Sequence, residues 1–214
     1  MYITYIGHSC FKIQDKAGSD GVTIITDPFD KTVGFKMPSG QADIVLVSHQ
    51  HSDHNNTDTI SGNPFIITNA GEYEIKDVSI EGVDTFHDNS SGKERGDNIA
   101  YKINIEGINI VHLGDLGHSL DSKQLEKLSG ADILLIPVGG NYTIDAKKAV
   151  EVISQIEPRI VIPMHYKVGA STVEVDGVDK FIKELGIEPA YEDKLKISKK
   201  ELPQEDMELV ILNV

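Results

Sequence analysis

The feature that most restricts the fold of this 214-residue chain is an internal repeat. The segment ADIVLVS at 42–48 resembles ADILLIP at 131–137, and the flanking segments match in the same order. The flanking pairs are FKI (11–13) with YKI (101–103), TIITDPF (23–29) with NIVHLGD (109–115), and NPFIITN (63–69) with EPRIVIP (157–163). Repetition in register predicts two related, sheet-bearing halves that pack face to face, with a site at their junction.

Local patterns predict strands in both halves and few helices. Alternation in YITYI and CFKIQ, and the turn EGIN, are typical of antiparallel strands. The continuous apolar runs DIVLV, DILLI and RIVIP indicate buried strands. The second predicted helix begins after Thr143 or Asp145, and the first and third end at Gly130 and Gly186. The predicted helices are 119–130, 143–157 and 175–186.

Composition is that of an ordinary globular chain, with 39% hydrophobic and 25% charged residues. The sequence has no run of about eighteen consecutive apolar residues, so it predicts no membrane span. The first residues, MYITYIGHSCFKI, lack the pattern of a signal peptide. Cys10 is the single cysteine, so no internal disulfide can form, and we expect a cytoplasmic protein.

The net charge of −14 disfavours nucleic acid as a partner, because the average surface repels phosphates. A small-molecule substrate fits this surface better. If the substrate is anionic, metal ions or a few local cations must bind it. Lys93 and Arg95 are candidates for such contacts, although a solvated charged loop is the plainer interpretation of that segment.

The segment SHQHSDH, which directly follows an apolar strand, predicts a metal site. His49 and His51 are two positions apart, so on an extended segment both side chains point to the same side. Asp53 and His54 follow in a turn and can bind a second ion. Neutral imidazole and carboxylate are ligands of zinc and similar divalent ions, and core packing does not explain four such groups at a strand end.

On this motif the chain resembles the metallo-β-lactamase superfamily, which implies an α/β fold, a four-layer αββα sandwich with two pseudo-symmetric halves. The resemblance covers about residues 1–186. Within the superfamily the chain most resembles the L-ascorbate-6-phosphate lactonase-like branch, through GHSCF (7–11), TDPF (26–29), IPVGGNYTID (136–145) and IPMHY (162–166). We therefore expect a single domain over 1–214, with halves at about 1–95 and 96–186. The tail at 187–214 ends in an apolar strand that completes a sheet of its own chain or pairs across a homo-oligomer.

The resemblance implies three further ligands, each after a later strand. These are His87, Asp115 and His165. The resemblance assigns one ion to His49, His51 and His87. It assigns a second ion to Asp53, His54 and His165, and Asp115 bridges both ions. Zn²⁺ is the expected metal, and Mn²⁺ or Fe²⁺ would suit nearly the same ligands.

Two such ions can activate a shared hydroxide as nucleophile, so no serine or cysteine nucleophile is needed. We hypothesise that Asp53 is both a ligand and the proton acceptor. His8 or Tyr166 would protonate the leaving group, although plain structural and metal-binding roles for His8 remain open. Asp27, the repeat partner of Asp115, is expected to orient a ligand histidine, with a simple turn role beside Pro28 as the alternative.

These predictions favour a metal-dependent hydrolase that acts on a small, anionic ester, lactone or phosphoester. One alternative is a phosphodiesterase or nuclease acting on RNA or cyclic nucleotides, but no nucleic-acid-binding insertion is visible. A second is a metal-binding sensor or redox protein. Diiron relatives of that kind carry an acid in place of an early histidine, whereas this chain has His51.

Overall fold

Buried and partly exposed side chains alternate along the first strand: Ile3 and Tyr5 are buried, and Tyr2 and Thr4 are partly exposed. Successive side chains of a strand point to opposite faces, so one face of this strand lies against the core. The computed structural model describes residues 1–15 and 21–214. Within them the chain has the predicted mixed α/β fold class, with extensive sheets and few helices.

Strands dominate the chain, and the helices come late. The earlier strands are β1 (Tyr2–Gly7), β2 (Cys10–Gln14), β3 (Thr23–Thr26), β4 (Gly40–Gln41), β5 (Ile44–Leu46), β6 (Ile60–Ser61), β7 (Phe65–Ile67) and β8 (Gly71–Ile75). The later strands are β9 (Val78–Phe86), β10 (Asp97–Ile105), β11 (Ile108–His112), β12 (Ile133–Pro137), β13 (Ile160–Met164), β14 (Ala190–Glu192), β15 (Leu195–Lys196) and β16 (Glu208–Leu212). The α-helices are α1 (Ser122–Leu128), α2 (Ala146–Ile156) and α3 (Val178–Leu185), and 3₁₀ turns occupy Lys31–Val33, Thr57–Thr59 and Lys199–Glu201.

Two large sheets have the same internal order. The first runs β15-β1-β2-β3-β5-β7 and the second runs β14-β16-β13-β12-β11-β10-β9-β8. In the first sheet β2 and β3 are antiparallel, and β5 and β7 continue parallel to β3. In the second sheet β10 and β11 are antiparallel, and β12 and β13 continue parallel to β11. The repeated segments therefore occupy corresponding strands.

One apolar core joins the two sheets and the helices. It packs Phe11 and Ile13 of the first sheet with Ile110 of the second and Val152 of α2. The buried hydroxyl of Tyr101 donates to the carbonyl oxygen of Val47 at 2.8 Å and ties the two sheets together. Because most strands of the two large sheets contribute a buried face, the strand ends hold fixed positions relative to one another.

The outer face of the first sheet has its own apolar cluster, which includes Cys10, Ile25, Phe29, Val33 and Val45. In the described residues before α1 the covering layer consists of irregular chain, two 3₁₀ turns and the short β4–β6 pair, and no α-helix lies there. This differs from the expected helical fourth layer. Pro28, Gly34 and Pro38 interrupt the segment that carries Phe29 and Val33 of this cluster, and proline and glycine disfavour the interior of a helix.

The three helices begin and end close to the predicted bounds. Asp121 caps α1 in a capping box with Gln124, and Asp145, one of two expected caps, holds the start of α2. Gly130 and Gly186, after α1 and α3, both have φ of +72°, which glycine adopts without strain. The helices are shorter than predicted because residues outside the caps lie in turns.

The tail adds one strand to the first sheet and two strands to the second. β15 pairs with β1, and β16 lies between β13 and β14. Both edges of β16 are therefore occupied by strands of the same chain. The expectation that the apolar tail completes a sheet of its own chain is confirmed, and no edge of β16 is open for pairing across an oligomer.

Candidate metal centre

The predicted ligands follow the carboxyl ends of strands that run in one direction. In the first sheet β1 and β3 are both antiparallel to β2, and β5 is parallel to β3. In the second sheet β9 and β11 flank the antiparallel β10, and β13 runs the same way as β11. These carboxyl ends meet at one side of the molecule. The residues that follow them are His8, Asp27, the motif at 49–54, His87, Asp115 and His165.

Three histidines, His49, His51 and His87, form what we call the first triad. Their ligand atoms all lie within 4.8 Å of one another. His49 and His87 are buried, whereas His51 is exposed. The Nε2 atom of His49 is buried and has no hydrogen-bond partner in the protein.

Asp115 connects the first triad to the remaining predicted ligands. Its Oδ2 atom lies 3.2 Å from Nε2 of His87, 3.2 Å from Nε2 of His165 and 3.3 Å from Nε2 of His54. The Asn98 side-chain oxygen accepts the Asp115 backbone N–H at 2.9 Å and fixes the turn. One carboxylate oxygen thus contacts ring nitrogens from both predicted ion sites.

Asp27 determines the orientation of two histidine rings. Its Oδ2 atom accepts hydrogen bonds from the Ser48 hydroxyl at 2.7 Å and from Nδ1 of His54 at 3.0 Å. Since the Ser48 hydrogen is donated to Asp27, Ser48 Oγ accepts from Nδ1 of His49 at 3.0 Å. Because each ring carries its proton on Nδ1, the lone pairs on Nε2 of His49 and His54 face the centre.

His8 and Asp53 lie beside this network. Nε2 of His8 lies 3.2 Å from Oδ2 of Asp53 and 3.1 Å from Nε2 of His54. His8 is 3% exposed, whereas the Asp53 side chain is 31% exposed. His8 therefore stands behind Asp53, in the interior.

The charges at the centre favour a cation. Burial raises the pKa of Asp115, but neighbouring His165 and His54 lower it well below its usual value. Burial lowers the pKa of His49 to about 3. Burial also lowers the pKa of His8 to about 4, and nearby His165 adds to that shift. For His54, burial lowers the pKa, but Asp115 and Asp27 raise it more, to well above the usual value. The two carboxylates on either side of the His54 ring mark a place where positive charge is stabilised.

The donor set fits divalent cations. The ligand atoms of His49, His54 and Asp115 form a second close group, within 4.8 Å of one another. Neutral imidazole nitrogens and carboxylate oxygens are the ligands that zinc prefers. The unpartnered Nε2 of His49, buried and turned toward this group, would otherwise be a costly unsatisfied atom. A cation that accepts its lone pair removes that cost.

A cavity of about 520 Å³, which we call the cleft, opens over these residues. A larger cavity of about 1280 Å³ has none of the histidines in its lining. The cleft is a suitable size for a small molecule. Its lining residues are Thr32, His51, Asp53, His87, Arg95, Asp115, Tyr142, His165, Thr172, Val173 and Glu174.

Arg95 is the only lysine or arginine among the described residues that line the cleft. Its guanidinium lies 5.8 Å from the centre of the Tyr142 ring and donates to the backbone oxygen of Asn141 at 3.3 Å. Lys93, the other candidate of the same loop, is exposed and does not line the cleft.

The Arg95 loop is held by Asp88, which the sequence did not single out. The Asp88 carboxylate accepts backbone N–H groups from Ser90, Gly92, Glu94 and Arg95 at 2.7–2.9 Å. Burial raises the pKa of Asp88, but these hydrogen bonds lower it to about 2. Its position directly after His87 was the signal available in the sequence.

Tyr166 does not reach the cleft. It is 5% exposed, packs in the core, and its ring stacks on Tyr5 with centroids 6.2 Å apart. Burial raises the pKa of Tyr166 to about 12, which makes it a poor proton donor near neutral pH. The prediction that it protonates a leaving group needs correction, because the side chain turns into the core although it follows His165 directly.

Two further histidines, His112 and His118, are engaged in backbone hydrogen bonds. His112 is fully buried, with Nε2 against the carbonyl of Ser9 at 2.9 Å and Nδ1 accepting the N–H of Gly114 at 3.1 Å. His118 accepts the N–H of Phe86 through Nε2 at 3.0 Å, and its Nδ1 faces the carbonyl of Ser119 at 2.7 Å. With both nitrogens used, neither ring is free to ligate.

Comparison with known proteins agrees with this geometry. The model of the beta-lactamase superfamily domain matches residues 2–165. A protein of Thermococcus onnurineus named UPF0173 metal-dependent hydrolase is 31% identical, over 77% of this chain and 84% of its own length. Another of that name, from Staphylothermus marinus, is 32% identical over 77% of this chain and 82% of its own length.

Solved structures show the same fold. A candidate Zn-dependent hydrolase of the metallo-beta-lactamase superfamily from Thermotoga maritima has a TM-score of 0.79 and 37% identity, and the match covers 99% of this chain and 97% of that one. The metallo hydrolase Igni18 of Ignicoccus hospitalis has a TM-score of 0.62 at 22% identity, covering 86% and 90%, which speaks for the fold alone. None of the described helices has the length and apolar character needed to cross a bilayer.

Proposed function

This chain belongs to the metallo-beta-lactamase superfamily and is a metal-dependent hydrolase, and from that premise we propose that it cleaves a small anionic ester, lactone or phosphoester with two divalent ions. The observation that carries the proposal is the approach of three imidazole Nε2 atoms to one oxygen of Asp115 at 3.2–3.3 Å. That oxygen belongs to a residue in the lining of a cleft of small-molecule size.

The first triad would hold one ion, and Asp53, His54 and His165 the other, with Asp115 between them. When bound, such ions lower the pKa of a coordinated water and polarise the bond to be cleaved. Zn²⁺ suits the histidine-rich set, and Mn²⁺ or Fe²⁺ can occupy similar ligands. The network from Asp27 keeps Nε2 of His49 and His54 turned toward the ions.

Asp53 is the residue of the chain best placed to hold a proton during the reaction. Its carboxylate lines the cleft, and its Oδ2 atom lies 3.2 Å from Nε2 of His8. Burial raises its pKa, but neighbouring His8 and His54 lower it below the usual value, so Asp53 is ionised at neutral pH. Asp53 can therefore accept a proton from the attacking water. His8 is buried behind Asp53 and is not among the residues that line the cleft.

The lining of the cleft supports the proposed substrate class. The guanidinium of Arg95 lies over the Tyr142 ring, and donors beyond the bond to Asn141 remain for a bound anion. A carboxylate or phosphate on the substrate would pair with it, next to the proposed ions. A phosphorylated sugar lactone is one member of this class, in line with the lactonase-like motifs. The lone, buried Cys10 fits our further proposal of a cytoplasmic location.

Metal content and hydrolysis test this proposal together. Elemental analysis of purified protein should give about two divalent ions per chain. The panel is a sugar-phosphate lactone, a thioester and bis-p-nitrophenyl phosphate. His51→Ala should lose turnover and one ion while remaining folded, because His51 is exposed. Ser52→Ala, at the exposed neighbour, is the matched control and should keep both.

The panel also separates substrate classes. Turnover of bis-p-nitrophenyl phosphate alone would favour a phosphodiesterase over a lactone or ester hydrolase. Folded protein that takes up no divalent ion under any loading condition would overturn the proposal.

A further inference from the structure

His8 occupies a strained turn that is fastened to the centre. Its φ of +57° lies in the left-handed region, which non-glycine residues avoid, and His165 has a similar φ of +52°. The carbonyl oxygen of His8 accepts the N–H of His165 at 2.8 Å and the hydroxyl of Tyr5 at 2.7 Å. Strained backbone that the surroundings hold in place is common at functional sites, so the position of this ring needs a reason.

The His8 ring is directed at the second group of ligands. Its Nε2 atom lies 3.1 Å from Nε2 of His54 and 3.2 Å from Oδ2 of Asp53. Its ring centroid is 4.2 Å from that of His165. The ligand atoms of His8, His54 and His165 all lie within 4.8 Å of one another, as do those of the first triad.

This spacing matches neighbouring ligands of one ion. With metal–nitrogen bonds of about 2.1 Å, adjacent ligands are about 3.0–3.4 Å apart in octahedral or tetrahedral geometry. The proton on Nδ1 of His54 is donated to Asp27, so Nε2 of His54 offers a lone pair to any cation there. Nε2 of His8 stands beside it, at ligand distance from Asp53 as well.

We propose that His8 is a direct ligand of the second ion, together with Asp53, His54 and His165. The inference rests on the proposed assignment of two ions, but not on the reaction. With His8 as a ligand, the two ion sites differ in their number of ligands. The first ion has three histidines, and the second has three histidines and Asp53, with Asp115 available to both. The second site then exceeds the four ligands of a structural zinc site and suits an ion of higher coordination number.

The competing explanation is that His8 only donates a hydrogen bond to Asp53. Detection of a bond between the His8 ring and the ion distinguishes direct ligation from a hydrogen bond to Asp53. The protein is labelled with nitrogen-15 in histidine and loaded with cadmium-113, which substitutes for zinc. A one-bond scalar coupling between cadmium and Nε2 of His8 is expected. Two bound cadmium ions without that coupling would overturn the proposal.

Ion affinity supplies a second measurement. His8→Asn suits the turn, because asparagine tolerates the left-handed region. It should weaken binding of the second Cd²⁺ or Zn²⁺ by more than roughly 100-fold, beyond the 10–100-fold typical of residues that only support a ligand. His8→Gln should lose affinity similarly. A loss below about 10-fold in both variants would contradict direct ligation.

His118→Asn is the matched control, since it removes a histidine whose nitrogens bond to the backbone outside the centre. It should bind two ions as the unmodified chain does. The spectrum of the unmodified protein decides the question even if the His8 variants fail to fold. Protein that binds two ions but cleaves nothing would refute the proposed substrate class and leave the role of His8 measurable.

Discussion

Oδ2 of Asp27 lies 3.0 Å from Nδ1 of His54, and both side chains are buried. Asp27 thereby fixes which ring nitrogen of His54 faces the proposed ions. Through Ser48, the same carboxylate also fixes the ring of His49. A single residue outside the predicted ligand set therefore orients one histidine at each of the two proposed ion sites.

Asp27→Asn should weaken binding of both ions by roughly 10–100-fold, as expected when a carboxylate that orients ligand histidines is lost. Asparagine tolerates the φ of +39° at this position, so the fold should persist. Chelator competition measures the affinities. Asp43→Asn makes the same change of charge at a residue bonded to Thr23 and Lys76, and should leave both affinities unchanged. Equal affinities in the two variants would exclude this role for Asp27.

Arg95→Gln should lower kcat/KM for an anionic substrate by about 10–100-fold, corresponding to a charge-assisted hydrogen bond of about 1.5–3 kcal/mol. The loss should appear mainly in KM, because Arg95 lies beside the proposed ions and not among them. Steady-state kinetics with a charged substrate and a neutral analogue of the same leaving group measure it. Lys93→Gln, on the exposed part of the same loop, is the control. An equal loss with the neutral analogue would remove anion recognition as the explanation.

Asp88→Ala should loosen the loop over 89–96, because four backbone N–H groups lose their acceptor. Hydrogen exchange of that segment at pH 7 should become faster, and KM should rise as it does in Arg95→Gln. Asn89→Ala, which loses one exposed side-chain bond to Ser90, serves as the control. Unchanged exchange in Asp88→Ala would show that the carboxylate does not organise the loop.

The pH dependence of this loop has a defined sign. The pKa of Asp88 is lowered from 3.8 to about 2 in the folded chain. A lowered carboxyl pKa contributes stability above the unfolded value and loses it as the pH falls through the folded value. The loop of the unmodified chain should therefore keep its protection between pH 7 and pH 4. It should approach the exchange rate of Asp88→Ala only near pH 2.

Gly117→Ala should disturb the first triad without changing a ligand. An added Cβ would overlap the backbone nitrogen of Asp88 and the carbonyl carbon of His87. We expect a loss of about 1–3 kcal/mol in the free energy of unfolding and weaker binding of one ion. Urea unfolding and metal titration measure these effects. At Gly177 the nearest atom to an added Cβ is 3.9 Å away, so Gly177→Ala should bind both ions normally.

Local sequence patterns predicted the elements well where their physical cause is local. The apolar runs that became β5, β12 and β13, and the cap at Asp145, depend on neighbours a few positions away. The expected helical layer over the first sheet is absent from the described residues, because Phe29 in irregular chain and Val33 in a 3₁₀ turn are buried there instead.

The sequence by itself determined the fold class and the chemistry of the centre. A histidine-rich motif after a buried strand, and an acid or histidine after later strands, can be recognised one segment at a time. The tertiary structure decided which side chains share a point in space. It turned Tyr166 into the core, brought Arg95 and not Lys93 to the cleft, and placed His8 against His54. The physical reason is that these relationships depend on the register of strands from both sheets and on strained turns after them. A pattern within one segment does not reveal the register between strands or the conformation of the turns that follow them.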